Sequence, residues 1–356
     1  MRVLQLIVPG GVGGAETVVA AGSAALAQLG ASVQIGIITE TRAPERAETF
    51  QRRVDEAGVS RFALSAARRL DPCLVRSLRS LIERERFDVI HAHGYKAVIY
   101  ASLAAPPKVR LFATHHGQGG GGKLVNLYVH LSLLAYRRFT RVFAVSEATR
   151  KHLIGRGVPN KRVHTLHNFI SLGDAHTPEA PPEGLTHLVY VGRLSREKGV
   201  DILMQALAWS SGGATLTVVG DGPQRPHLER QIVQLGLEDR VEFVGFQDDI
   251  SSWIAEAHAA VLPSRTEGLP MTMLEAAALG RPVLATLVGG VPEILEFTPG
   301  SSGTRAEDAG AFAAAIDGFD VERDERIAAA MAGASDVVQR FSAKAWAETT
   351  LAGYSE

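Results

Sequence analysis

Along this 356-residue chain, short apolar runs of strand length alternate with helix-patterned stretches, and the alternation occurs twice. In the first half, strands are expected near 2–8, 32–38, 88–91, 110–114 and 141–145, with helices near 15–29, 45–57, 72–86, 95–104, 124–138 and 147–155. In the second half, strands are expected near 186–191, 214–219, 241–244, 259–262 and 282–286, with helices near 199–209, 224–235, 250–257, 270–279, 291–297 and 307–316. Continuous apolar strands separated by helices belong to parallel sheets covered on both faces. The expected fold class is therefore α/β, with two doubly wound parallel-sheet domains. Residues 171–185, rich in Pro, Gly and small residues, read as a linker between domains at 1–170 and 186–336. Residues 337–356 read as one helix that crosses back to the first domain.

The second half contains RTEGLPMTMLE at 265–275, after the apolar run 259–263. Gly268 permits a tight turn, and Pro270 suits the first turn of a helix, which then runs to Gly280. Glu267 is thus expected in a loop at a strand's C-terminal end, and Glu275 on the following helix. The amides of Met271, Thr272 and Met273 would point from the helix N-terminus, which favours an anion by roughly 0.3–1 kcal/mol when exposed. Carboxylates that accept hydroxyls beside a phosphate-binding terminus suit a ligand that is part polyol and part phosphate. The alternative is a solvated loop residue and a surface helix residue.

VGRLSREKGVD at 191–201 places Arg193 and Lys198 before a helix starting near Gly199. Cations there oppose the helix macrodipole but suit a bound diphosphate; the alternative is a solvated loop. In VPGGVGGAE at 8–16, glycines let backbone amides approach a ligand. Gly11, Gly13 and Glu16 form G-x-G-x-x-E, with Glu16 where a dinucleotide fingerprint has its third glycine. A structural tight turn is the competing reading. His91, His93, His115 and His116 fall at strand ends, where open parallel sheets bind ligands. They read as cleft-lining or structural histidines rather than a metal site, since no carboxylate cluster accompanies them.

The formal net charge of −1 hides a split. Residues 1–175 hold 24 Lys and Arg against 12 Asp and Glu, and the remainder hold 13 against 26. A basic first half suits an anionic membrane surface or an acidic acceptor, or simply attracts the acidic half. The helix near 124–138 carries Leu124, Leu127, Leu131 and Leu134 at helical spacing, flanked by Lys123, Arg137, Arg138 and Arg141. It reads as a core-packed helix with a basic end, or alternatively as a membrane-touching one. The single cysteine, Cys73, excludes an intrachain disulfide. The opening MRVLQLIVPGG is too short and glycine-rich for a signal peptide, and a cytoplasmic location is expected, at the inner face of the plasma membrane if the basic half meets lipid.

With these pieces in order, the sequence resembles the retaining glycosyltransferases of family 4, of the bacterial polysaccharide and glycolipid type, which have the GT-B fold. GGAE, ATHHG, AVSEATR, His167–Asn168, GRLSREKG, VGDGP, the E-x7-E pair Glu267 and Glu275, and GGVPEIL carry the resemblance over nearly the whole chain. It implies two Rossmann-like domains, a nucleotide-sugar donor bound mainly by the second, and a glycan or lipid-linked acceptor. It implies that Arg193 and Lys198 bind the diphosphate, Glu275 the ribose and Glu267 the donor sugar, with the amides of Met271, Thr272 and Met273 near phosphate or sugar. Gly13 and Gly14 would meet the diphosphate and His116 the donor sugar. Backbone around Val244, Gly245 and Phe246 would hold the base. No metal, no other cofactor and no nucleic-acid partner are implied. The GQGGGG loop and His115 depart from common members where the acceptor should bind. Two alternatives are a nucleotide-sugar 2-epimerase on the same fold and a non-catalytic sugar-nucleotide-binding protein. Glu16 counts against a nicotinamide dehydrogenase.

Overall fold

The computed structural model describes residues 1–10, 13–117, 123–170 and 178–356. The chain forms two compact units, Met1–Ser171 with Ser342–Glu356, and Leu172–Phe341. The first holds a seven-stranded sheet: β1 (Arg2–Ile7), β2 (Ser32–Glu40), β3 (Arg61–Ala66), β4 (Val89–His93), β5 (Arg110–His115), β6 (Arg141–Ala144) and β7 (Val163–Thr165). The second holds six strands: β8 (His187–Val191), β9 (Thr215–Val219), β10 (Val241–Gly245), β11 (Ala259–Leu262), β12 (Val283–Thr286) and β13 (Ser302–Thr304).

The strand orders are β3-β2-β1-β4-β5-β6-β7 and β10-β9-β8-β11-β12-β13. Every strand pair is parallel. Each chain half builds outward from its first strand, then returns to that strand's other side. The order therefore reverses between β1 and β4 and again between β8 and β11. In doubly wound sheets this reversal opens a crevice at the strands' C-terminal ends. The central strands are buried and apolar: Val3, Leu4 and Leu6 on β1, and Leu188, Val189 and Tyr190 on β8, are at most 2% exposed.

Three strands, β3, β7 and β13, fall outside the sequence expectation, and each lies at a sheet edge. Their sequences RFALSA, VHT and SGT are short or half polar, because an edge strand need not be apolar throughout. The stretch expected as one helix at 337–356 is two helices, Arg323–Arg340 and Ala343–Ser355. They are broken where the Ser342 hydroxyl accepts from the Ala345 amide at 3.2 Å. Such a cap starts a new helix. The second helix belongs to the first unit. Its Trp346 lies over Phe169, ring centroids 5.1 Å apart, and so close to Gly22 that a Cβ there would come within 2.6 Å of the indole.

Two leucines of the stripe near 124–138 face away from the core, and Leu131 is half-buried. Leu127 and Leu134 are 53% and 61% exposed. The buried face of helix Lys123–Ala135 is instead Tyr128 and Ser132, continued by Tyr136 in a following 3₁₀ turn. Spacing identifies a stripe but not which stripe faces inward. The side chains of Lys123 and Leu124, the loop 118–122, Gly11 with Val12, and residues 171–177 of the expected linker lie outside the described residues. Among the described residues no helix is long and apolar enough to cross a membrane.

Candidate functional site

In the second unit the order reversal brings together loops that are far apart in sequence. β8 and β11 are neighbours, so the segments leaving their C-terminal ends meet. The Lys198 ammonium donates to Glu267 Oε1 at 2.7 Å, and the Ser264 hydroxyl donates to the same oxygen at 2.6 Å. The Glu267 side chain is only 8% exposed and that of Lys198 29%. Glu275 is buried as well. Neither carboxylate is a solvated surface group.

Two glycines make this closeness possible. Gly199, just after Lys198, has φ +66°, and a Cβ there would lie 2.0 Å from the Pro263 carbonyl oxygen. Gly289 has φ +56°, and a Cβ would lie 2.0 Å from the Glu267 carbonyl oxygen. Both need the left-handed conformation and both lack room for a side chain. Arg265 ties the same loop to the helix Val200–Trp209. Its guanidinium donates to both carboxylate oxygens of Asp201 at 2.7 and 2.8 Å, to Glu307 at 2.8 Å and to the Arg196 carbonyl at 2.8 Å. Burial pushes the Asp201 carboxyl up, but the hydrogen bonds and charge of Arg265 outweigh it and hold that carboxyl below its ordinary range. The same pairing raises Arg265. Ser264 and Arg265 were given no role at the sequence level, although both stand beside Glu267 in the chain.

Arg193 is exposed. Among the described residues nothing hydrogen-bonds to or pairs with its guanidinium, while its carbonyl accepts from the Tyr190 hydroxyl at 3.1 Å. The helix Met271–Ala278 starts one residue later than expected, with Pro270 as N-cap and no side-chain cap on its first amides. Thr272 donates to the Val191 carbonyl at 3.3 Å, which fixes this N-terminus beside the end of β8. Met273 points into the core and is fully buried. Gly245 ends β10 with φ +76°, and its carbonyl accepts from the Gly220 amide at 2.7 Å. Phe246 beyond it is 49% exposed.

The remaining candidates belong to the first unit. Gly13 is the extended N-cap of helix Gly14–Gln28. Glu16 is buried, and its carboxylate accepts from the Gly10 amide at 2.7 Å. Burial raises its pKa above the ordinary carboxylate value, against the pull of the Gly10 amide. Glu16 therefore turns back onto the glycine segment as a brace. His91 and His93 are structural: each is buried and bonded through both ring nitrogens. His116 Nε2 lies 3.1 Å from His93 Nδ1, and His116 Nδ1 is buried without a partner among the described residues. Burial drives His91 and His116 down to about 3 and His115 to about 4, so all three are neutral at physiological pH. Among the described residues, no three His, Cys, Asp or Glu side chains gather as metal ligands.

Residues 12–174 match the family model for Glycosyltransferase Family 4, and residues 186–319 match that for Glycosyl transferases group 1. The 2-deoxystreptamine N-acetyl-D-glucosaminyltransferase of Streptomyces fradiae is 35% identical over 292 residues, covering 72% of this chain and 68% of the relative. The N-acetyl-alpha-D-glucosaminyl L-malate synthase of Bacillus anthracis is 26% identical over 259 residues, 68% of this chain and 67% of the relative. Two other curated relatives are matched over only 50% and 46% of their own lengths. Among solved structures, Anabaena HepE in complex with UDP superposes with a TM-score of 0.83 at 22% identity, covering all of both chains. Its likeness establishes the fold. With two parallel-sheet α/β units, those two family matches and a relative 35% identical over most of its length, the chain belongs to the GT-B glycosyltransferases, a family 4 region followed by a group 1 region.

Proposed function

We propose that this protein transfers a sugar from a nucleotide-diphosphate donor to a hydroxyl-bearing glycan or lipid-linked acceptor, with retention of anomeric configuration and without a metal or other cofactor. The observation that carries this reading is the meeting of Lys198 and Glu267 beside the uncapped N-terminus of helix Met271–Ala278, with the exposed guanidinium of Arg193 on the same β8 loop. Uridine diphosphate is the first nucleotide to test, because the HepE structure contains it. N-acetylglucosamine is the first sugar, because the Streptomyces and Bacillus relatives are named for it.

In this reading, the bond from the anomeric carbon to the diphosphate oxygen breaks, and the acceptor oxygen bonds to that carbon on the same face. The acceptor's proton passes to the departing phosphate, so no separate base is required. Arg193 and Lys198 offset the charge that develops on the diphosphate, the task a metal ion performs elsewhere. Lys198 has two donors left after its bond to Glu267. Glu267 is assigned to the donor sugar's hydroxyls and Glu275 to the ribose. The backbone at Gly245 and Phe246 is assigned to the base, and the amides of Met271, Thr272 and Met273, with the Gly13–Gly14 turn, to the phosphates. His116 offers a hydrogen-bond acceptor to a sugar hydroxyl. The exposed Leu127 and Leu134 with Arg137, and Leu103 on the helix Tyr95–Ala104, support contact with an anionic lipid surface. The location proposed is cytoplasmic.

A thermal-shift screen against UDP-, GDP-, CDP- and ADP-sugars with EDTA present tests the donor. Stabilisation by a UDP-sugar, and UDP release that depends on an alcohol acceptor, is expected. No shift with any of them would count against the reading. NMR of the product's anomeric configuration decides retention.

A further inference from the structure

In the first unit an unbroken chain of buried hydrogen bonds joins the C-terminal helix to His116. The Gln5 amide nitrogen lies 3.3 Å from the Tyr354 hydroxyl, and the Gln5 amide oxygen 2.7 Å from His93 Nε2. His93 Nδ1 lies 3.1 Å from His116 Nε2. Tyr354 also lies 2.5 Å from His91 Nδ1, and His91 Nε2 2.7 Å from the Thr114 hydroxyl. Gln5, His91, His93 and Tyr354 are at most 2% exposed.

The chemistry of the amide gives this chain a direction. An amide NH₂ only donates and an amide oxygen only accepts. The Tyr354 oxygen therefore accepts from Gln5 and gives its own proton to His91 Nδ1. At the other end, the Gln5 oxygen requires a proton on His93 Nε2. Neutral His93 then has a bare Nδ1, which must accept from His116 Nε2–H. Neutral His116 is left with a lone pair on Nδ1, the one end of the chain without a partner among the described residues. All three imidazoles are held neutral by burial, with only other histidines acting on them as charges. A buried acceptor without a donor is costly unless a ligand completes it.

We propose that Gln5, His93 and Tyr354 are positioning residues that lock His116 as its Nε2–H tautomer and so present Nδ1 as an acceptor for a substrate hydroxyl. The identity of that substrate rests on the transferase reading; the tautomer does not. Reversing the Gln5 amide would reverse every proton in the chain and leave His116 with Nδ1–H, a donor. The side chain of Gln5, not that of His116, therefore decides whether the site accepts or donates. A polar residue in the middle of the apolar strand RVLQLI is the sequence trace of this device.

The test is ¹⁵N NMR of the full chain labelled at histidine, with His116→Gln used to assign the signal. The wild type is expected to show His116 as the neutral Nε2–H form between pH 6 and 8. Gln5→Met removes the amide and Tyr354→Phe removes its anchor. Each is expected to give a mixture of His116 tautomers and to lower kcat about tenfold, the equivalent of one hydrogen bond. A merely structural role would lower thermal stability and leave the tautomer unchanged. Wild-type His116 as Nδ1–H overturns the proposal whether or not Gln5→Met and Tyr354→Phe fold. So does an unchanged Nε2–H form in both folded variants. Failure of every sugar nucleotide to release its diphosphate would overturn the transferase reading and leave the tautomer result standing.

Discussion

Replacing Lys198 with Met tests the central contact of the second unit. The mutation removes the ammonium 2.7 Å from Glu267 and leaves a carboxylate that is 8% exposed with one remaining hydroxyl donor, Ser264. At that separation the gross attraction is about 6 kcal/mol for an effective dielectric near 20. Most of it is offset by the cost of taking the charges out of water. Breaking a fully buried pair costs about 3–5 kcal/mol, but Lys198 is 29% exposed, so solvent screening lowers the expected loss. We expect a net destabilisation of about 1–3 kcal/mol, which leaves a folded unit and lowers its Tm by roughly 2–12 °C. Activity should fall much further, by about 10²–10³ in kcat, because the same cation is assigned to charge that develops in the transition state. Urea unfolding and UDP release measured on the same preparation separate the two effects. Glu267→Gln completes a double-mutant cycle, with a coupling of about 0.5–3 kcal/mol expected. Zero coupling would refute the pairing. A Lys198→Met enzyme with wild-type kcat would refute the diphosphate assignment.

Glu16→Gln should stabilise the protein at pH 8 and have little effect at pH 4. The folded-state pKa of Glu16 is raised, so its favourable contribution is present below the unfolded value of 4.5 and is lost as pH rises through the folded value; melts across this range check the sign. Gly199→Ala should destabilise the second unit by more than about 1 kcal/mol and weaken donor binding, since a Cβ would lie 2.0 Å from the Pro263 oxygen; calorimetry of donor binding to the folded variant reads this. Leu127→Glu with Leu134→Glu should leave the melt unchanged, because both side chains are already exposed. It should abolish co-sedimentation with anionic vesicles, and undiminished co-sedimentation would remove the lipid-facing assignment of that helix.

Two parallel sheets were legible because their central strands are buried on both faces and so are apolar throughout. The edge strands β3, β7 and β13 were not, since one side of an edge strand needs no burial. The helix Lys123–Ala135 shows a related limit. Its leucines announced an amphipathic helix, but Leu127 and Leu134 are exposed while Tyr128 and Ser132 face the core, because the inward face is chosen by the neighbouring elements rather than by the helix itself. In the candidate site, residue type singled out the candidates: Arg193 and Lys198 stand where helix electrostatics disfavour cations, and Glu267 and Glu275 flank a helix start. Arg265 carried no such signal, because only its fold partners Asp201 and Glu307 show what it holds.

By itself, the sequence determined the fold class, the start and stop of the helix after β11 set by Pro270 and Gly280, and which residue types stand at the strand ends. All of these follow from local chemistry and the periodicity of burial. Only the tertiary structure decided which groups touch. Lys198 and Glu267 are 69 residues apart and meet because the strand order reverses between β8 and β11. Gln5 and Tyr354, 349 residues apart, meet because the last helix belongs to the first unit. Strand order and the return of the chain's end depend on how the whole sequence packs, so no local pattern encodes those contacts.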